Sequence, residues 1–160
     1  MIIGVISDTH SHKPPKQLMD FLKKVDLIIH VGDFCTEEDM KVFSSIKKIK
    51  AVCGNMDESA LRNKLPVKDI FEVEGVKIGI FHGRGMPKHI LEDVVDEFKS
   101  DGCDAVVFGH SHEPFNKVIK GVLYFNPGTP MAVYSASGCT YGIIKVNEGK
   151  ISGEIIEVKE

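Results

Sequence analysis

The sequence predicts an α/β protein of two sheets packed face to face with helices outside, and three observations carry that prediction. Short apolar runs alternate with helical patterns through the first third of the chain. From Ile70 onward strand patterns dominate and pair across short turn signals. One amphipathic helix interrupts them. Parallel βαβ units followed by antiparallel pairs give the two packed layers.

Taken in order, Ile2–Ile6 reads as a buried strand, and Leu18, Phe21, Leu22 and Val25 fall at i, i+3, i+4, i+7 as the apolar stripe of a helix. Leu27–Val31 is the next strand. Thr36 followed by Glu37, Glu38 and Asp39 places a cap and acidic groups at the start of a second helix carrying Met40, Phe43 and Ile46. The apolar stretch Ile49–Cys53 follows. Ile70–Val73 and Val76–Phe81 flank Glu74-Gly75, a two-residue hairpin signal. Pro87–Lys99 is the third helix, with Ile90, Leu91, Val94, Val95 and Phe98 on one face and Glu92, Asp93, Asp96 and Glu97 opposite. Val118–Phe125, centred on Gly121, is a further hairpin. Tyr141–Val146 and Ile151–Val158, joined across Asn147-Glu148-Gly149-Lys150, form the last.

The chain has 160 residues, 42% hydrophobic and 27% charged, without repeats or low-complexity stretches. The expectation is one domain over residues 1–160 that buries roughly 70% of its unfolded surface. A formal net charge of −3 gives no electrostatic footprint for coating nucleic acid. No run approaches a membrane span, and the N-terminal residues lack the pattern of a secretory leader. Four well-separated cysteines contain no C-x-x-C pair. A cytoplasmic protein with reduced thiols is the expectation, partnered by a small-molecule substrate rather than a membrane or nucleic acid. Homo-oligomerisation is left open.

Five apolar runs end in the same way, each followed at once by a potential metal ligand: Asp8 and His10, Asp33, Asn55, His82, and His110 and His112. Open α/β sheets bind ligands beyond the carboxyl ends of their strands. Singly, each residue has an ordinary reading as a turn former, a cap or a solvated imidazole. Together they place four of seven histidines at strand ends, and the Asp-x-His and His-x-His spacings let alternate residues grip one ion. Carboxylate, imidazole and amide donors without thiolate suit Mn²⁺, Fe²⁺, Ni²⁺, Co²⁺ or Zn²⁺. Seven donors overfill one ion and suit two that share a carboxylate. The residual positive charge makes a phosphoryl oxyanion the natural guest.

The set Asp8-x-His10, Gly32-Asp33, Gly54-Asn55-x-Asp57, Phe81-His82-Gly83 and Gly109-His110-x-His112 resembles the calcineurin-like metallophosphoesterase superfamily. Among its branches it is similar to the small single-domain phosphodiesterases of bacteria and archaea. The resemblance implies a four-layer α/β/β/α sandwich of two mixed sheets and a dinuclear centre. One ion would be held by Asp8, His10, Asp33 and His112, and the other by Asp33, Asn55, His82 and His110, with Asp33 bridging. It implies two divalent ions, manganese or nickel first and cobalt, iron or zinc after them. The implied reaction is phosphodiester hydrolysis by a metal-bridging hydroxide, these seven residues forming the catalytic set.

One position departs from the family pattern. Many members carry His after the Gly-Asn pair, placed to protonate the leaving oxygen, whereas this chain has Met56. Thioether cannot donate a proton, so the site is expected to favour good leaving groups, and Asp57 loses the imidazole it would orient. His12 and Arg84 read as substrate contacts or as solvated loop residues. His30 reads as a hydrogen-bonded core residue. Asn126-Pro127-Gly128-Thr129 is similar to a turn that borders the metal site. The alternatives to a diesterase are a phosphomonoesterase or nucleotidase on the same core, and a non-catalytic scaffold like the retromer subunit of this fold.

Overall fold

The computed structural model describes residues 1–159. The elements run β1 (Ile2–Ile6), α1 (Lys16–Leu22), β2 (Leu27–His30), α2 (Glu37–Ser44), β3 (Ile49–Ala51), α3 (Ser59–Lys64), β4 (Lys68–Val73) and β5 (Val76–Phe81). A 3₁₀ turn at Pro87–His89 leads into α4 (Ile90–Phe98), followed by β6 (Ala105–Phe108), β7 (Pro114–Ile119), β8 (Val122–Pro127), β9 (Thr140–Asn147) and β10 (Lys150–Glu157). No helix among the described residues is long and apolar enough to cross a membrane.

Two five-stranded mixed sheets form, with orders β10-β9-β1-β2-β3 and β4-β5-β6-β8-β7. Between them lies a core of β-branched and aromatic side chains that includes Val5, Ile29, Ile80, Val107 and Phe125, all fully buried. The outer face of the first sheet is covered by α1, α2 and α3 through Leu18, Leu22, Phe43 and Leu61. The outer face of the second is covered by α4, whose Ile90, Val94 and Phe98 point inward. Helix, sheet, sheet and helix are the four layers.

The antiparallel expectation for the second half is corrected. β5 pairs with β6 in parallel because α4 supplies a crossover long enough to return the chain in the same direction, and β6 pairs with β8 in parallel because β7, between them in sequence, runs the opposite way at the sheet edge. The C-terminal hairpin leaves that sheet and pairs antiparallel with β1. Helix boundaries also shift. α1 ends at Leu22, and Val25 is buried from the loop beyond it. α2 ends at Ser44 with Ile46 just past it, and α4 starts only at Ile90. Asn126 and Pro127 end β8 instead of forming a turn, since β7 begins early at Pro114 and holds both in register. α3, six residues docked by the buried Leu61, has no counterpart in the sequence reading.

All three hairpins turn on a residue followed by glycine, with both φ values positive: Glu74-Gly75, Lys120-Gly121 and Glu148-Gly149. That is the twist a two-residue hairpin needs. The remaining non-glycine residues with positive φ are Asp8, His10, Ser11, Asp33, Cys35, His110 and His112. All seven lie in loops at the carboxyl ends of β1, β2 and β6, so backbone strain concentrates at one edge of the molecule.

Candidate metal centre

The loops after β1 and β2 are laced together by backbone hydrogen bonds from Asp8 N–H to Gly32 O, His10 N–H to Asp33 O and Ser11 N–H to Phe34 O. Gly109 N–H donates to His82 O, which ties the loop after β6 to that after β5. Two glycines permit close approach of these loops. A Cβ at Gly54 would overlap the Asp33 carboxylate, and one at Gly109 would overlap the Ser7 hydroxyl.

This lacing gathers the expected donors. His112 Nε2 is 3.3 Å from Asp8 Oδ1 and 3.3 Å from His10 Nε2. Asp33 Oδ2 lies 3.4 Å from His82 Nε2 and 3.9 Å from His10 Nε2. Asn55 Oδ1 sits 3.1 Å from His82 Nε2 and 3.0 Å from His110 Nδ1. Donors bound to one ion at roughly 2.0–2.2 Å are separated by about 3.0 Å at right angles and about 3.4 Å in a tetrahedron. The shorter spacings therefore suit divalent ions.

Two compact groups emerge, Asp8/His10/His112 and Asp8/Asp33/His82. Asp8 thus approaches both, which the sequence reading did not anticipate. The His110 backbone N–H donates to Asp8 Oδ2 at 3.1 Å, while its imidazole lies outside both groups and faces Asn55.

Three imidazoles have their orientation set by main-chain carbonyls, which can only accept. His82 Nδ1–H donates to Val31 O at 2.7 Å, His112 Nδ1–H to Tyr134 O at 3.2 Å and His110 Nε2–H to Gly85 O at 2.9 Å. In the neutral ring the other nitrogen then carries its lone pair toward the cluster, the arrangement of a metal-ligating histidine. His10 Nδ1 has Cys35 Sγ at 3.9 Å. Asp8 Oδ1 is fully buried and has no hydrogen-bond partner. A buried carboxylate oxygen without a donor is costly unless a cation meets it.

The titration behaviour follows from this crowding. Burial works against the His82 imidazolium, but the Asp33 hydrogen bond and the charges of Asp8 and Asp33 outweigh it and raise the pKa to about 9. Burial lowers the His10 pKa despite the same two carboxylates. The Asp8 carboxylate, 3.3 Å from its Nε2, raises the pKa of His112. Burial opposes ionisation of Asp33, yet His82 and the Met56 N–H keep its pKa below the usual carboxylate value.

The remaining candidates sort clearly. His30 is fully buried, stacked on Phe34 with centroids 3.5 Å apart, and its Nδ1 accepts from Gly32 N–H, leaving Nε2–H to donate to Thr9 Oγ1. Burial drives its pKa well down, so it is a neutral core residue. His12 is exposed and donates to His10 O. Arg84 is drawn away to α4, 2.5 Å from Glu97 Oε2. Met56 is 58% exposed, and its N–H donates to Asp33 Oδ1.

Asp57, left without a role by the sequence, is an anchor. Its carboxylate accepts from the N–H groups of Asp33, Gly54 and Cys35, pinning the loops after β2 and β3. Asn126 donates to Gly109 O and Ser111 Oγ, and Thr129 Oγ1–H donates to Asp8 O, so this segment supports the site from beneath. Tyr134, whose ring is 4.4 Å from that of His10, gave no sequence signal at all.

Comparison with known proteins agrees with this geometry. The family model for the calcineurin-like phosphoesterase superfamily domain matches residues 1–149. The probable metallophosphoesterase MJ0623 of Methanocaldococcus jannaschii is 35% identical, covering 100% of this chain and 83% of its own. The phosphodiesterase MJ0936 of the same organism is 32% identical, covering 80% of this chain and 83% of its own. The solved structure of an archaeal phosphodiesterase superposes with a TM-score of 0.79 at 27% identity, covering 98% of this chain and 100% of that one. Fold, donor geometry and a match along nearly the whole length lead to one conclusion: the chain belongs to the calcineurin-like phosphoesterase superfamily.

Proposed function

We propose that the chain is a metal-dependent phosphodiesterase acting on small diesters at a dinuclear centre. One observation carries the reading: Asp33 Oδ2 is within 4 Å of both His10 Nε2 and His82 Nε2, while the neighbouring Asp8 Oδ1 is buried without a donor. Asp8, His10, Asp33 and His112 would hold one ion, and Asp33, Asn55, His82 and His110 the other. Manganese or nickel are the first choices, then cobalt, iron or zinc. Such ions supply a nucleophile at neutral pH and stabilise the oxygens of an in-line displacement.

The chain's part is to orient and to balance charge. Main-chain carbonyls fix three of the imidazoles, so little reorganisation is required when charge develops. The neutral Asn55 avoids a third carboxylate, which would cancel part of the charge that attracts phosphate. No imidazole stands at position 56 to hand a proton to the leaving oxygen, which favours substrates whose alcohol departs readily. The relative named a phosphodiesterase supports the diester over the monoester.

The test is a panel of aryl diesters, alkyl diesters, monoesters and cyclic nucleotides assayed with metal-free protein reconstituted in turn with Mn²⁺, Ni²⁺, Co²⁺, Zn²⁺ and Mg²⁺. Hydrolysis of aryl diesters, abolished by chelator and restored by a transition metal, is the expected result. Activity indifferent to chelation, or confined to monoesters, would overturn the proposal.

A further inference from the structure

The chain contains two arginines, Arg62 and Arg84, against 18 lysines. Guanidinium is the side chain suited to gripping a phosphate or carboxylate through two parallel N–H bonds. Arg84 is already engaged, 2.5 Å from Glu97, 3.8 Å from Asp93 and 5.0 Å above the Phe81 ring. Arg62 is exposed on α3, and among the described residues its guanidinium has no hydrogen-bond, ion-pair or ring partner.

The acids closest to Arg62 in sequence are committed elsewhere. Glu58, one helical turn before it, accepts from Glu37 N–H at 3.0 Å, and Asp57 is taken up by backbone N–H groups. Lys64, two residues further on, pairs with Glu37 at 3.7 Å.

Arg62 shares a cleft of about 200 Å³ with Asn55, His82, Val67 and Gly83. It therefore stands on the wall that carries two of the proposed ligands. Its perch is rigid. Leu61 is fully buried, Glu58 N–H donates to Cys35 O, and Cys53 N–H donates to Pro66 O, so both ends of α3 are fixed to the loops of the metal edge.

We infer that Arg62 is a specificity-determining residue whose guanidinium binds a second anionic group of the substrate, a phosphate carried on the organic substituent, while the scissile phosphoryl group lies against Asn55 and His82. This rests on the phosphodiesterase reading and names its substrate class, a diester with a further phosphate. The plain diester has no partner for Arg62.

Two readouts separate failure of this inference from failure of that reading. In the first, KM is measured for two aryl diesters that differ only in a terminal phosphate on the other substituent. Arg62→Ala is expected to raise KM for the phosphorylated diester by roughly 10- to 100-fold, with the plain one within about twofold. Arg62→Lys should recover part of the loss, and Lys64→Ala should change neither. In the second, calorimetry on manganese-loaded protein compares two phosphonate monoesters related in the same way, which requires no turnover.

Tighter binding of the phosphorylated phosphonate that disappears in Arg62→Ala supports the subsite even if no diester is hydrolysed. Equal affinity for the two phosphonates, selectivity that survives Arg62→Ala, or binding of neither would overturn it even if diesters are hydrolysed. Arg62 is exposed, so the variants are expected to melt with the native chain.

Discussion

Asp33 is the residue on which the proposed centre turns, since one carboxylate oxygen faces a histidine of each group. Asp33→Asn should abolish tight uptake of both ions, whereas Asn55→Ala or His112→Ala should weaken mainly one, as metal analysis after gel filtration would show. His82 adds a pH dependence to the metal-free chain. Its folded pKa of about 9 lies above the ordinary 6.5, so its stabilisation is fully present below pH 6.5 and is lost as pH rises through 9. The raised pKa of His112 acts in the same direction. Chelated protein should therefore lose on the order of 3 kcal/mol between pH 6.5 and 10, and His82→Gln should flatten that slope in urea titrations. Metal uptake must displace the same proton and should tighten with pH over that window. That these residues gather at one edge was legible in the sequence because each follows an apolar run directly. The nitrogen each imidazole presents was not, because main-chain carbonyls from distant loops decide it.

Elements place these residues, and short ones were the hardest to foresee. Hairpins could be read from glycine because a tight turn with positive φ leaves few alternatives. α3 could not, since six residues with one buried leucine show no periodicity. That omission hid Arg62, and the one arginine the sequence reading weighed near the site, Arg84, is engaged by α4. Asp57 was visible but unexplained, because its three partners are backbone N–H groups brought in by two loops. Asp57→Ala should strand those donors and cost about 3 kcal/mol, read from the urea midpoint, with weakened metal binding as a consequence. Met56 lies in the same loop. If proton donation is what the site lacks, Met56→His should accelerate alkyl diesters more than aryl ones, by up to roughly 10²-fold. Equal effects on both, with the imidazole facing the site in a crystal structure, would contradict that account.

At the scale of the molecule, two sheets each deliver proposed ligands to a shared edge: Asp8, His10, Asp33 and Asn55 from the first, His82, His110 and His112 from the second. The facing of the sheets is set by their common core, in which Phe125 packs so closely on Gly142 and Gly153 that neither tolerates a side chain. Phe125→Ala should cost about 3–5 kcal/mol, seen as a lowered denaturation midpoint. The two-layer architecture was legible from alternating apolar runs. The pairing of β9 with β1 was not, because it joins residues more than a hundred positions apart that share only their hydrophobicity. The proposed chemistry needs two ions that share one carboxylate, and anomalous diffraction from crystals of the manganese-loaded protein would locate them. Two peaks flanking Asp33, with Asp8, His10 and His112 on one and Asn55, His82 and His110 on the other, are the predicted result. A single peak in fully loaded protein, or peaks held by other residues, would contradict it.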